Sequence, residues 1–142
     1  MDNGARVFGR RSVLCGAIAL ASGALVACGG GGPSRTGGIG SAKPGDRLAA
    51  LAEVPVGGGT LVDVAGNGRL LLVRPTKDDV RAFNPACPHA GTIVNPPGGG
   101  VITCPTHGSQ FDAATGDVRK GPSTSGLARF AVRIEGDHVV LA

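Results

Sequence analysis

Two pairs of cysteine and histidine residues constrain the fold of this chain more than any other feature. His89 follows Cys87 by two positions and His107 follows Cys104 by three, with 14 residues between the pairs. Two of the chain's three histidines therefore stand beside two of its four cysteines. Thiolates and imidazoles are ligands that suit iron–sulfur clusters and zinc. We expect the fold to bring these two segments together around a metal centre.

The segment that contains both pairs, residues 85–125, has the composition of shaped loops. Proline lacks the N–H that a strand needs for its ladder, and three consecutive glycines occupy residues 98–100. The prolines of the segment are Pro85, Pro88, Pro96, Pro97, Pro105 and Pro122. A long irregular insert inside a small domain is usually functional. We therefore expect loops here rather than ladder strands, apart from one short strand that leads into Cys104.

The rest of the domain predicts an all-β fold, a small antiparallel barrel or sandwich. Aromatic residues make up only 3% of the chain, so the core must consist of aliphatic side chains. Short apolar runs alternate with glycine-rich turns, and Asn67-Gly68 and Gly136-Asp137 predict two tight hairpins. No window after Leu51 keeps a helical apolar period over three turns. The predicted strands are residues 53–56, 60–64, 69–74, 80–84, 101–103, 128–135 and 138–141.

The stretches around both pairs resemble the two cluster-binding loops of Rieske proteins. Residues 87–92 read Cys-Pro-His-Ala-Gly-Thr, and residues 104–109 read Cys-Pro-Thr-His-Gly-Ser. The resemblance continues through residues 111–116 and through Gly121-Pro122, which matches the proline loop that covers the cluster. It extends over roughly residues 50–141. It implies a Rieske-type fold in which the two loops form an inserted cluster-binding subdomain.

The resemblance also implies a Rieske-type 2Fe–2S cluster and a role for each ligand. Cys87 and Cys104 would bind a buried iron, and His89 and His107 an outer iron near the surface. Electron transfer would then be coupled to protonation of the two imidazoles. The residues expected to surround the cluster are Gly91, Gly108, Ser109, Phe111 and Pro122. Among these, the serine is expected to donate to a bridging sulfide, and the glycines to let the backbone approach the cluster.

Three positions depart from the respiratory, quinol-oxidising branch of that family. Members of the branch carry a further cysteine in each loop, and the two cysteines form a disulfide. Thr92 and Thr106 stand at those positions here, and Phe111 replaces a tyrosine that is frequent in the branch. We expect a reduction potential below that of the high-potential respiratory members and above that of members without a serine at position 109.

The first 47 residues predict a targeting signal and a tether. Residues 13–27 form an apolar run too short to span a bilayer, and Arg10-Arg11 in front of it resembles the twin-arginine export signal. Residues 25–28 resemble the bacterial lipobox, which implies a lipid on Cys28 and a domain anchored on the outer face of the cytoplasmic membrane. The predicted organisation is a signal peptide at 1–27, a Gly-rich flexible tether at 28–47 and a Rieske domain at 48–142, with cluster-binding loops at 85–125.

These features favour a membrane-tethered electron carrier outside the cytoplasm, which passes single electrons between a donor and a protein or quinone partner. Such a chain is an electron carrier by itself, or a component of an oxidoreductase. The first alternative is the Rieske subunit of a cytochrome bc-type quinol-oxidising complex, against which the two threonines and the lipobox count. A zinc-stabilised binding module and a Cys87–Cys104 disulfide are further alternatives, both disfavoured by the placement of the histidines.

The charge pattern gives no support for a nucleic-acid partner. The formal net charge is +4, and the residues after the first dozen contain no basic run. A positive stripe, which nucleic-acid binding requires, is not predicted. The oligomeric state is left open by the sequence.

Overall fold

Short aliphatic runs between glycine turns form strands over the described part of the chain. The computed structural model describes residues 35–142, so the predictions for Arg10, Arg11 and Cys28 lie outside the described residues. A single turn of 3-10 helix lies at Leu51–Glu53. The strands are β1 Arg47–Ala50, β2 Gly58–Val64, β3 Gly68–Thr76, β4 Asp79–Phe83, β5 Val101–Thr103, β6 Gln110–Asp112, β7 Val118–Lys120, β8 Arg129–Phe130, β9 Val132–Glu135 and β10 His138–Leu141.

The strands pair into three small antiparallel sheets, which confirms the predicted all-β class. One sheet has the order β1-β10-β9, the second β2-β3-β4-β8 and the third β5-β6-β7. The third sheet lies entirely inside the predicted insert. Within residues 35–142, none of the helical structure could span a bilayer.

Strand β3 is the centre of the core because both of its faces are buried. Leu71 and Val73 belong to a cluster of buried side chains that includes residues of the insert. Leu72, on the opposite face, packs with side chains of the sheet that contains β1, β9 and β10. A strand with apolar residues on both faces is typical of a layer between two others. The insert is therefore fixed to the domain through one face of β3.

The insert leaves and rejoins the domain at one point of the second sheet. β4 ends at Phe83, which pairs with Arg129 of β8, and the N–H of Asn84 donates to the carbonyl of Ala128 at 2.8 Å. The chain between these residues forms the two loops and the sheet β5-β6-β7. That sheet differs from the prediction, which placed only residues 101–103 in a strand.

Other predicted bounds differ where a strand depends on a distant partner. Residues 53–56 are not a strand: Glu53 ends the 3-10 turn and residues 54–56 follow it. Strand β1 was not predicted, because the described strand with which it pairs is β10, about ninety residues away. The predicted strand 128–135 is divided into β8 and β9, which pair in different sheets. The hairpin between β9 and β10 is confirmed, with Glu135 paired to His138.

Residues 36–42, here called the N-terminal strap, also differ from the prediction of a flexible tether. The strap lies along the β2–β3 hairpin, where the N–H of Gly38 donates to the carbonyl of Arg69 and the N–H of Ser41 to that of Ala65, both at 2.8 Å. Ala42 is buried and joins a core cluster with Val64, Leu70 and Leu141. The ordered domain therefore begins before residue 48.

Candidate metal centre

The two loops that carry the cysteines share one backbone design. In the first, the N–H of Cys87 donates to the carbonyl of Thr92 at 2.8 Å, and the N–H of Gly91 donates back to the carbonyl of Cys87 at 2.7 Å. In the second, Cys104 makes the same bond to Ser109 at 2.8 Å, and Gly108 donates back to Cys104 at 3.0 Å. Each loop is thus a closed turn that begins at its cysteine.

The glycine of each turn is required by its backbone conformation. Gly91 has φ 74 and Gly108 has φ 76, values that residues with a Cβ rarely adopt. Apart from the glycine and its two chain neighbours, no atom of residues 35–142 lies within 4 Å of the position that a Cβ would take at either glycine. The positive φ is by itself a reason for glycine at both positions. The predicted approach of the backbone to the cluster stays a prediction.

The two cysteine side chains lie together at the base of the loops. Cys87 is 2% exposed and Cys104 1% exposed, and both are free thiols. They pack in the core cluster with Leu71 and Phe83, which belong to the central sheet. The structure therefore does not contain the alternative disulfide between Cys87 and Cys104. A pair of thiols with restricted access to water is available as ligands.

The two histidine side chains lie on the outer side of the loops. His89 and His107 are both exposed, and their ring centroids are 4.9 Å apart with the ring planes at 89°. The turn in each loop places its histidine two or three residues beyond a buried cysteine, so that the sulfurs face the core and the imidazoles face solvent. The structure thus brings the four predicted ligands together as a buried sulfur pair and an exposed nitrogen pair.

The surroundings of Cys104 favour its ionised form. Burial raises the pKa of this thiol, but hydrogen bonds outweigh burial and lower the pKa below its ordinary value. The donors include the backbone N–H groups of Thr106 and His107, the thiol of Cys87 and the hydroxyl of Thr106. Thiolate is the form that binds metals, and N–H groups aimed at sulfur stabilise a metal-bound thiolate.

A hydrogen bond between two threonines links the loops directly. The hydroxyl oxygens of Thr106 and Thr92 are 2.7 Å apart. At these two positions the respiratory branch has the cysteines that form its disulfide. A hydrogen bond between the two threonines therefore links the loops at these positions, and it was not predicted from the sequence. Its only sequence signal is that a hydroxyl residue stands in both loops.

The second loop is also tied to the proline loop. The Ser109 hydroxyl is fully buried and accepts a hydrogen bond from the backbone N–H of Ser123 at 3.0 Å. A hydroxyl that accepts one bond still has its hydrogen to donate, as predicted for Ser109. Phe111 is buried in the core cluster beneath the cysteines, and Pro122 is exposed in the proline loop. Ser123 was not among the predicted site residues, because its contact with Ser109 joins residues 14 positions apart.

The donor set fits a two-metal cluster. Within residues 35–142, no group of three or more His, Cys, Asp or Glu side chains is compact enough to hold one metal ion. Two thiols on one side and two imidazoles on the other suit a centre in which each of two irons receives one pair. The assignment of the four residues as its ligands stays a prediction.

Comparison with known proteins places this geometry among Rieske domains. Residues 47–131, more than half of the chain, match the family model described as Rieske [2Fe-2S] domain. The chain is similar to the cytochrome b6-f complex iron-sulfur subunit of Prochlorococcus marinus, with 35% identity over 95 residues, covering 65% of this chain and 53% of that protein. The chain spans about half the length of such curated relatives.

Solved structures give the same picture of the fold. The cyanobacterial plasma membrane Rieske protein PetC3 of Synechocystis is 28% identical with a TM-score of 0.59, and the match covers 68% of this chain and 98% of that chain. The ferredoxin of carbazole 1,9a-dioxygenase from Nocardioides aromaticivorans is 27% identical with a TM-score of 0.56, covering 71% and 98%. The matched proteins thus include both membrane-associated and ferredoxin-type proteins.

Proposed function

Because the chain belongs to the Rieske 2Fe–2S domain family and is an electron-transfer protein with a Rieske-type cluster, we propose that the two cysteines and two histidines of its loops are the cluster ligands. In this proposal Cys87 and Cys104 hold the inner iron, and His89 and His107 hold the outer iron. The cluster supplies one-electron redox chemistry. The protein passes single electrons between a donor and a protein or quinone partner.

The observation that carries this assignment is the separation of buried thiols from exposed imidazoles. Cys87 and Cys104 lie in the core, while the His89 and His107 rings lie 4.9 Å apart at the surface. An electron that enters or leaves through the imidazole side crosses little protein. The exposed rings also exchange protons with water, so the potential depends on pH where an imidazole loses its second proton.

The ligand assignment is tested by spectroscopy and by one substitution. The reduced protein should give the electron paramagnetic resonance spectrum of a Rieske centre, and chemical analysis should find acid-labile sulfide. His107→Cys should lower the midpoint potential and weaken its pH dependence, because a thiolate replaces a neutral imidazole. His138→Cys, at the third histidine, is the matched control and should leave both unchanged. A His107→Cys protein with the wild-type redox titration would contradict the assignment.

The proposal includes a membrane tether at the N-terminus. Arg10-Arg11 supports export by the twin-arginine route, and the lipobox supports lipidation of Cys28. A diacyl anchor supplies two chains, enough for stable attachment to a membrane surface. Cys28→Ser should move the exported protein from the membrane fraction to the soluble fraction. Wild-type protein that is recovered without lipid by mass spectrometry would contradict the tether.

A second candidate is a subunit of a quinol-oxidising cytochrome complex. Its support is the similarity to the iron-sulfur subunits of cytochrome b6-f complexes. Thr92 and Thr106 count against it, since they replace the cysteines of the respiratory branch. Purification from gently solubilised membranes separates the two candidates. Stoichiometric recovery of a cytochrome b with this chain would favour the subunit, and recovery of the chain alone would favour the carrier.

A further inference from the structure

We infer that the N-terminal strap, residues 36–42, positions the first cluster loop, and that Gly37 is the residue through which it acts. The strap lies outside residues 47–131, which match the family model. It nevertheless contacts the base of the loop that carries Cys87 and His89. The inference rests on the proposed function to the extent that Cys87 is taken as a cluster ligand.

The strap is held by more than one kind of contact. Besides its two 2.8 Å backbone bonds to the β2–β3 hairpin, the N–H of Thr36 donates to the carbonyl of Asn67 at 3.2 Å. Just before the strap, Arg35 forms an ion pair with Asp63 at 3.1 Å. Ile39 packs against a core cluster. Backbone bonds and apolar burial together fix the path of the strap, so that residue 37 is held in place from both sides.

At Gly37 the strap approaches the first loop closely. A Cβ built at this residue would lie 1.9 Å from Oδ1 of Asn84, 2.8 Å from Cβ of Ala86 and 3.0 Å from the backbone nitrogen of Ala86. Real Cβ atoms essentially never make contacts under 3.0 Å, so a larger residue fits here only if the Asn84 side chain turns away and Ala86 also shifts. No positive φ is recorded for Gly37. The requirement for glycine is therefore one of space and not of backbone conformation.

The two residues that Gly37 touches define where the loop begins. Oδ1 of Asn84 accepts a hydrogen bond from the N–H of Ala86 at 2.9 Å. Ala86 pairs with Ile93 across the loop in an isolated antiparallel bridge. The next residue is Cys87, whose N–H closes the turn to Thr92. A displacement of Ala86 is thus passed to Cys87 through the peptide bond that joins them. A displacement of Asn84 reaches Cys87 through its hydrogen bond to Ala86.

Gly37→Ala in the full-length protein tests this inference, with Gly98→Ala as the matched control. Gly98 likewise does not have a positive φ, and apart from its two chain neighbours no other residue among 35–142 lies within 4 Å of the Cβ that alanine would add there. Overpacking at residue 37 should release the cluster about tenfold faster in the presence of a chelator. It should also shift the electron paramagnetic resonance g-values and raise hydrogen exchange in the peptide that covers residues 84–94. Gly98→Ala should match the wild type in all three measurements.

A double-mutant cycle tests whether residue 37 acts through Asn84, and the g-values separate positioning from general destabilisation. Asn84→Ala removes the atom that lies nearest to the added Cβ, so the effects of Gly37→Ala and Asn84→Ala should be clearly non-additive. A merely structural role predicts a lower melting temperature with unchanged g-values and an unchanged rate of cluster release. That result, or a Gly37→Ala protein with wild-type exchange at residues 84–94, would overturn the inference.

Two further comparisons keep the result interpretable. Should Gly37→Ala fail to fold, Ile39→Ser loosens the strap while leaving the Gly37 contact unobstructed, and it should raise exchange at residues 84–94. Unchanged exchange in a folded Ile39→Ser protein would overturn the inference. A wild-type protein without a 2Fe–2S cluster would instead refute the proposed function, while the exchange experiment would still report on the contact between strap and loop.

Discussion

The Thr92 and Thr106 hydroxyls form a chain of polar contacts that ends at a cysteine sulfur. Their oxygens are 2.7 Å apart, and the Thr106 hydroxyl is also one of the groups that lower the pKa of the Cys104 thiol. A hydroxyl has one hydrogen and two acceptor positions. In the structure the Thr106 hydroxyl donates to the Thr92 oxygen. If both hydroxyl hydrogens turn, Thr92 donates to Thr106 and Thr106 is free to donate to the sulfur. The threonine pair thus both links the loops and polarises one ligand.

Thr106→Val should lower the midpoint potential, because hydrogen bonds to cluster sulfurs stabilise the reduced state. A donor that contributes about 1 kcal/mol more to the reduced form corresponds to a shift of ~40 mV for one electron. Thr106→Ser keeps the hydroxyl and should retain most of the potential. Thr60→Val in β2, outside the insert, is the control. Equal potentials for Thr106→Val and the wild type in a dye-coupled titration would refute this role of the hydroxyl.

The chemistry of the site could be predicted from sequence more fully than its contacts. Cysteine and histidine lie two or three residues apart in each loop, so the pattern is visible over a short stretch. The bonds between Thr92 and Thr106 and between Ser109 and Ser123 each join residues 14 positions apart. Which distant polar residues meet depends on how two loops pack, and no local pattern carries that information.

The connection between β6 and β7 depends on the Asp112 carboxylate. One of its oxygens accepts hydrogen bonds from the N–H groups of Ala114 and Thr115, each at 2.9 Å, and the other pairs with Arg119. These contacts, that of the Thr115 N–H above all, lower the pKa of Asp112 below its ordinary value. The ionised form is thus favoured in the folded state. Asp112 stabilises the fold fully above its ordinary pKa, and this contribution is lost as the pH falls through the folded-state pKa.

Asp112→Asn should destabilise the protein by about 1 kcal/mol at neutral pH. The substitution removes the negative charge, and Arg119 then faces either an amide N–H₂, which cannot accept a hydrogen bond, or a neutral carbonyl oxygen, which is a weaker acceptor. The difference from wild type should shrink in acid, where Asp112 itself becomes protonated. Asp117→Asn is the control, because its ion pair with Arg129 is mostly exposed and should contribute little. Denaturant unfolding at several pH values measures the difference. A difference that is constant down to the acid limit would contradict the role of the charge.

The strands that were not predicted either have a distant partner, as β1 has, or are very short, as β6 and β7 are. The β2–β3 hairpin was expected to turn at Asn67-Gly68; in the structure Gly66 and Asn67 have the positive φ values and Gly68 already pairs with Val64. The turn is therefore one residue earlier than predicted. β6 and β7, three residues each, are too short for a readable alternation, and they form because the insert folds back on β5.

The docked strap changes how far the domain can move from a membrane anchor. The sequence predicted a tether as far as residue 47, which leaves residues 29–47 after Cys28 and a reach of up to about 65 Å at full extension. Since the strap is bound from residue 36 onward, only residues 29–35 lie between the proposed anchor and the domain. Seven residues span at most about 25 Å. The cluster of a lipidated protein is thus expected to remain near the bilayer surface, where membrane-embedded partners lie.

Lengthening this connection should therefore slow electron exchange with a partner in the bilayer. For a flexible chain the effective concentration falls as about the −3/2 power of length, so ten added Gly/Ser residues between positions 31 and 32 should slow exchange about fourfold. The rate is measured in vesicles that contain the lipidated protein and a long-chain quinol. Exchange with soluble ferricyanide should not change, and in a Cys28→Ser background the insertion should have no effect on either rate. If the lengthened protein reacts with the quinol as fast as the wild type, the short connection does not control access, and a soluble protein partner is favoured.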